Sequence, residues 1–286
     1  MLGTCFKESF IALLEQTPIT TKILDCEDVT LLPVFHESTY DSRMTDLLSF
    51  VYFIKENSTV TSLELLKDGE VFDTLTYSTS ILNQFNQYII TYSRSWRDVY
   101  NDFGNGKYQI KIVVNPLFGI DITDYSFEYN LMPYSDLLAD KTIRFDYYNS
   151  NVKEWRGLKV DYNPLTWQSQ LRIPNSFFGF EKANYEREQI RWQSGVREWI
   201  KDERLDNYIC EITNIDINVS NEIKEGVLQS DDIYINDYNL SNANSIIDKL
   251  VVCSSNYEPE YNLDNKIVSV SLTFEEKKQL GVKRRQ

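Results

Sequence analysis

The chain has 286 residues, 42% hydrophobic and 14% aromatic, with 19 Tyr, 15 Phe, 10 Gly and only 7 Pro. That length exceeds the usual single domain, and that composition excludes a disordered chain. Lys and Arg number 29 against 43 Asp and Glu, a net charge of −14, which repels phosphate backbones and excludes broad nucleic-acid binding as the primary role.

Taken in chain order, Phe6, Phe10, Leu13 and Leu14 form an i, i+4, i+7, i+8 stripe, with Thr4 as an N-cap candidate and Pro18 as a stop. The segment 1–19 is therefore expected to hold a short amphipathic helix, about three turns long. An isolated helix that short is marginal, so its stripe must pack on the rest of the chain or on a neighbouring subunit. The first residues carry no basic segment or small-residue cleavage site, and no run reaches the ~18 apolar residues of a membrane helix. The expectation is a chain made in the cytoplasm without an anchor.

From about residue 47 the hydrophobic period becomes two. Leu48 to Ile54 reads as a buried strand, and Thr59 to Lys67 alternates with Thr61, Leu63 and Leu65 on one face. Asp68-Gly69 then precedes Val71-Phe72, the dipeptide of a tight hairpin turn. Ile81 to Tyr92 reads as a strand with a loose start. A turn over Asn101 to Gly106 leads into Lys107 to Val114, where Tyr108, Ile110, Ile112 and Val114 share a face, and Pro116 ends that run. Phe127, Tyr129 and Leu131 alternate up to Met132-Pro133, and Ile143, Phe145 and Tyr147 alternate again.

Turn-forming residues at 148–151 place a domain boundary there. Beyond it, Glu186 to Trp192 and Val196 to Lys201 flank Gln193-Ser194-Gly195 as a long charged hairpin. Strands follow at 207–212, 232–236, 249–253 and 266–274. The fold expected is all-β: two antiparallel β-sandwich-like domains of the immunoglobulin or fibronectin sort, at 20–149 and 150–275. The basic end, 276–286, holds Lys277, Lys278, Lys283, Arg284 and Arg285 and reads as a solvated tail or a docking arm.

Catalytic patterns are missing. The four cysteines, Cys5, Cys26, Cys210 and Cys253, form no CxxC pair, and Cys210 and Cys253 sit in apolar runs as buried free thiols. The single histidine, His36, has no triad spacing and cannot make a multi-His metal site. Asp231, Asp232 and Asp237 share one strand region and Asp121 and Asp124 one loop, yet no EF-hand pattern is present and solvated acidic loops are the default. No phosphate-binding loop occurs, because Phe103-Gly104-Asn105-Gly106 feeds a strand. The Trp, Tyr and Phe residues concentrated in the second half, among them Trp155, Trp167, Trp192 and Trp199, read as core, as protein interface or as a sugar-stacking surface.

The run Tyr185-Glu186-Arg187-Glu188-Gln189-Ile190-Arg191-Trp192-Gln193-Ser194-Gly195-Val196-Arg197-Glu198-Trp199 and the run Ile233 to Tyr238, with the acidic Asn/Tyr/Asp/Ile-rich composition, resemble structural proteins of tailed bacteriophages, in particular crAss-like phages of Bacteroides. The resemblance implies a β-rich neck, ring or tail component that assembles as a closed homo-oligomer in the virion, after synthesis in the host cytoplasm. It carries no catalytic, cofactor-binding or metal-binding residue. Phe6, Phe10, Leu14, Trp192, Trp199, Lys283, Arg284 and Arg285 are the expected contacts with other copies and other virion proteins, with neither membrane nor specific nucleic acid as partner. The alternative is a carbohydrate- or receptor-binding β-sandwich of a fibre or cell-surface system.

Overall fold

The structure is a computed structural model that describes residues 32–36, 46–79, 84–116, 119–133, 142–155, 158–163, 165–174, 176–180, 184–193, 195, 197–237, 246, 248–262 and 267–277. The helix expected in 1–19 and the basic positions beyond 277 lie outside the described residues.

The first part runs β1 (Leu32–His36), β2 (Leu47–Lys55), β3 (Thr59–Lys67), β4 (Glu70–Thr74), β5 (Ser78–Thr79), β6 (Gln87–Ser95), helix α1 (Trp96–Phe103), β7 (Gly106–Asn115), β8 (Ile122–Tyr125) and β9 (Tyr129–Pro133). A six-stranded sheet has the order β1-β9-β7-β3-β4, with β8 also on β7, and a three-stranded sheet has the order β2-β6-β5. Every pairing is antiparallel except β1 with β9. Alternation drives the arrangement: Tyr108, Ile110, Ile112 and Val114 all turn inward from β7, where they meet Phe50 and Ile89 in one buried cluster.

The Asp68-Gly69 turn forms as expected. Both residues have positive φ, 51° and 87°, which matches the twist of the paired strands. On β3 the expected face is corrected at one position. A bulge between Val60 and Ser62 makes Thr61 the extra residue, so Thr61 is exposed while Leu63 and Leu65 are buried. Helix α1 takes up the first half of the turn expected over Asn101 to Gly106. The Ser95 hydroxyl accepts from the Asp98 N–H at 3.1 Å, satisfying an end-of-helix donor, and Trp96 and Val99 are buried.

The second part contains β10 (Thr142–Asn149), β11 (Val152–Trp155), β12 (Leu158–Asp161), β13 (Trp167–Pro174), β14 (Ser176–Phe180), β15 (Asn184–Arg191), β16 (Arg197–Leu205) and β17 (Asn207–Asp216). Helix α2 (Ile217–Glu222) follows and continues as a π-helical turn over Ile223–Val227. Then come β18 (Asp232–Asp237), β19 (Lys249–Cys253), β20 (Glu260–Asn262) and β21 (Ile267–Glu276). An eight-stranded antiparallel sheet has the order β13-β10-β18-β19-β21-β17-β14, with β20 on β21. Ile143, Phe145, Ile173, Ile212, Ile235, Leu272 and others fill a second buried cluster.

The two clusters interleave along the chain. Val160, Tyr162 and Trp167 belong to the first cluster, whereas Leu32 and Phe127 belong to the second. Tyr162 meets Phe53 edge to face at 5.3 Å. The protein is thus mostly β, organised in several antiparallel sheets around two neighbouring cores.

Candidate functional site

Strand β10 carries the least expected feature. Its apolar face, Ile143, Phe145 and Tyr147, fills the second core, but Thr142, Arg144 and Asp146 on the other face are also buried. Arg172 of β13 lies opposite Arg144 in register, and the pair clasps Asp46, the residue before β2. The Arg172 guanidinium donates to Asp46 through Nε (2.8 Å) and Nη2 (2.8 Å), and Arg144 adds Nη1 at 3.2 Å. Arg144 also donates to Asp146 Oδ2 from Nε and Nη2, at 3.2 and 2.9 Å, and Asn236 Nδ2 reaches the same oxygen at 2.8 Å.

Among the described residues two guanidiniums and two carboxylates therefore meet at a seam where strands of both cores come together. A bidentate clasp of this kind suits the planar fork of Arg. Burial pushes the Asp146 carboxyl above its ordinary value, with Arg144 pulling it back, and Asp146 Oδ1 has no hydrogen-bond partner. The adjoining cleft between Leu32, Val34, Leu47, Tyr129 and Gln170 has room for no more than about one water molecule. The clasp ties β10 and β13 to the approach to β2.

Another buried carboxylate, Glu222, ends α2 and accepts from the Tyr147 hydroxyl at 2.6 Å. Burial, reinforced by Glu222, raises the hydroxyls of Tyr147, Tyr129 and Tyr162 above the ordinary tyrosine range. Gly226 lies in the π-helical turn, and a Cβ there would stand 2.3 Å from Glu222 Oε1. The absent side chain makes room for the carboxylate. Similarly, the Tyr52 hydroxyl donates to buried Asp124 at 2.5 Å, and Asn115 donates to Asp121 at 2.6 Å.

At the backbone level one element stands apart from the larger sheets. β15 and β16 form a two-stranded sheet that joins none of the three larger sheets. At about 3.4 Å per residue such a ribbon is about 27 Å long. Its register sets Arg187 opposite Asp202 and Glu188 opposite Lys201, but it also sets Glu186 opposite Glu203 and Arg191 opposite Arg197. A bulge after Glu188 leaves Ile200 as the extra residue. At the tip the Gly195 N–H donates to the Trp192 carbonyl at 2.9 Å, and Gly195 has φ +82°, a conformation that favours glycine. Trp192 is 54% exposed. An isolated two-stranded ribbon is marginal in water.

The residues singled out in the sequence are dispersed. Trp192 stands at the ribbon tip and Trp199 lies in β16 opposite Gln189. Phe6, Phe10, Leu14, Lys283, Arg284 and Arg285 lie outside the described residues. His36 ends β1 opposite Pro133. Trp167 is a core residue, 7% exposed, whose indole N–H donates to Ser169 Oγ at 3.0 Å, so it is not a surface for sugar. Cys210 is buried and Cys253 half-buried, both as free thiols.

The aspartates in and just before β18 do not converge. Asp231 accepts from the Ser150 N–H and from Lys153, Asp232 from Lys277 at 2.7 Å, and Asp237 from the Phe178 N–H at 2.9 Å at the far end of the strand. Among the described residues no group of three or more His, Cys, Asp or Glu is placed to hold a metal ion, and no helix is long and apolar enough to cross a membrane. The clasp on Asp46 escaped sequence reasoning, because Arg144 and Asp146 alternate with apolar residues just as a solvent-facing row does. Comparison with protein-family models, with characterised proteins and with solved structures gives no match.

Proposed function

We propose that the protein is a non-enzymatic structural component of a homo-oligomeric assembly, organised as two β-sandwich-like domains behind a short amphipathic helix at 1–19. The assembly is a head-to-tail connector or tail ring of a tailed-phage virion. The observation that carries the assembly reading is the β15–β16 ribbon: an element about 27 Å long that joins no other sheet of its own chain. Such an arm gains support when a neighbouring subunit covers it. Side-by-side heterologous contacts that close by rotation make rings. The polar residues of the interior fit a structural role, since the described buried carboxylates accept from arginine, tyrosine or backbone donors. The virion setting rests on the resemblance of the 185–199 and 233–238 runs to phage structural proteins.

Mass photometry of the native protein over a concentration series tests the reading. A discrete closed species, roughly twelve subunits for a portal-matched ring, supports it. A monomer at every concentration refutes it. The carbohydrate- or receptor-binding alternative retains exposed Trp192, and a glycan-array signal that vanishes in Trp192→Ala would favour it.

A further inference from the structure

We infer that the open edge of β4 receives the basic segment 278–286 of a second copy of this chain, which adds to the six-stranded sheet as a further strand. The inference rests on the assembly reading and names one of its contacts. Strand β4 ends the order β1-β9-β7-β3-β4 and pairs only with β3. Its outer edge therefore offers backbone donors and acceptors to an extended segment. Charge and bulges are the devices that blunt such an edge in a monomer. β4 has both, yet it also displays Val71 and Phe72, which are 55% and 54% exposed. The register skips Phe72, setting Leu66 opposite Val71 and Leu65 opposite Asp73. That bulge re-aims the ring, which meets Phe103 of α1 edge to face at 5.2 Å. An apolar step thus stands beside an unpaired edge, the surface that an added strand covers.

Charge selects the occupant. β4 holds Glu70 and Asp73 and no basic residue, and among the described residues neither carboxylate makes an ion pair. Lys67, Arg94 and Lys107 nearby are engaged elsewhere. Lys67 donates to the Phe103 carbonyl at 2.6 Å, Arg94 is held by Asp102 and Lys107 reaches Glu128 at 4.0 Å. On a chain of net charge −14, residues 278–286 hold Lys278, Lys283, Arg284 and Arg285 and no acid, with Leu280 and Val282 two positions apart. In an extended segment that spacing puts both apolar side chains on one face. The segment brings cations to Glu70 and Asp73 and apolar cover to Val71 and Phe72.

The segment departs from Lys277, whose backbone N–H donates to the Leu250 carbonyl at 2.8 Å and whose ammonium donates to Asp232 at 2.7 Å. That anchor lies on the eight-stranded sheet, whereas β4 is an edge of the six-stranded one. One subunit thereby carries the two unlike halves of a head-to-tail contact, the heterologous geometry from which rings close.

Charge exchange in the full chain, read by sedimentation velocity over a concentration series, tests the contact. Asp73→Lys, opposite Leu65 in register, reverses the edge without setting like charges across the hairpin. Lys283→Glu with Arg284→Glu and Arg285→Glu reverses the segment. Each reversal is expected to weaken self-association at least about tenfold, and the two combined are expected to restore it. High salt is expected to weaken the wild-type association. Glu56→Lys, exposed at the other end of β3, is expected to associate like the wild type. Circular dichroism and melting temperature are expected to stay unchanged; should Asp73→Lys lower the melting temperature, Glu70→Gln with Asp73→Asn reads the same contact.

Wild-type association that neither reversal weakens overturns the inference and leaves the assembly reading standing. Association lost in only one of the two reversals, or lost in both and not restored by their combination, does the same. A wild-type monomer under all conditions overturns both.

Discussion

Asp46→Ala tests the seam most directly. Asp46 is 2% exposed and the two arginines that clasp it, Arg144 and Arg172, are 3% exposed each. The substitution removes the acceptor of three charge-assisted hydrogen bonds, at 2.8, 2.8 and 3.2 Å. It leaves two guanidiniums in the interior without that carboxylate, while Asp146 still accepts from Arg144. Breaking a buried pair from one side costs about 3–5 kcal/mol, because the surviving charge stays desolvated. For a slope of about 2.5 kcal/mol/M the urea midpoint falls by about 1–2 M. Tryptophan fluorescence reports the transition, since Trp96 and Trp167 lie in the first core and the Trp96 backbone N–H donates to the Asp46 carbonyl at 3.0 Å.

Replacing Asp46 and Arg172 together by leucine and methionine removes one charge of each sign, so the double variant is expected to recover much of the loss. A loss below about 1 kcal/mol for Asp46→Ala, the value of a surface pair, would refute the claim that the clasp holds the two cores together.

Three further outcomes follow from particular contacts. Burial pushes the Asp231 carboxyl up, but Lys153, the Ser150 N–H and Asn151 outweigh it and hold it below the ordinary value. A depressed folded value means that its contribution is present above the unfolded carboxylate pKa and is lost as pH falls through the folded one. Asp231→Asn should therefore melt below the wild type at neutral pH, and the gap should close in strong acid; a gap independent of pH would contradict this. Trp167→Ala should cost about 3–5 kcal/mol in chemical denaturation, whereas a sugar-stacking tryptophan would be lost with little change in stability. Gly226→Ala would ordinarily gain about 1 kcal/mol in a helix. Here its Cβ displaces a carboxylate held by Tyr147, so a net fall in melting temperature is expected and a rise would count against the Glu222 contact.

Local patterning carried much of the fold. The alternation in Lys107 to Val114, the Asp68-Gly69 turn, the charged hairpin around Gly195 and strands near 207, 232, 249 and 267 were all legible, because a period of two and a positive-φ dipeptide act over a few residues. Helix α1 was legible in principle from Ser95 with Asp98 and from Trp96, Val99 and Phe103 at helical spacing, but at eight residues it is short and the glycines at 104 and 106 give the stronger local signal, that of a turn. The π-helical turn depends on Gly226 fitting against a carboxylate one turn earlier, which no hydrophobic pattern displays.

What the sequence by itself determined was the class: an acidic chain rich in half-buried strands, with charged runs and aromatic residues but no assembled catalytic motif. Tertiary structure alone decided which polar rows face solvent. Arg144 and Asp146 alternate like surface residues, yet β13 and the approach to β2 cover them, 28 and 98 positions away from Arg144 for Arg172 and Asp46. It decided equally that Trp167 fills a core while Trp192 stands at a tip. A strand's own residues set which positions share a face, but which face is buried is set by what packs against it, and that partner comes from a distant part of the chain.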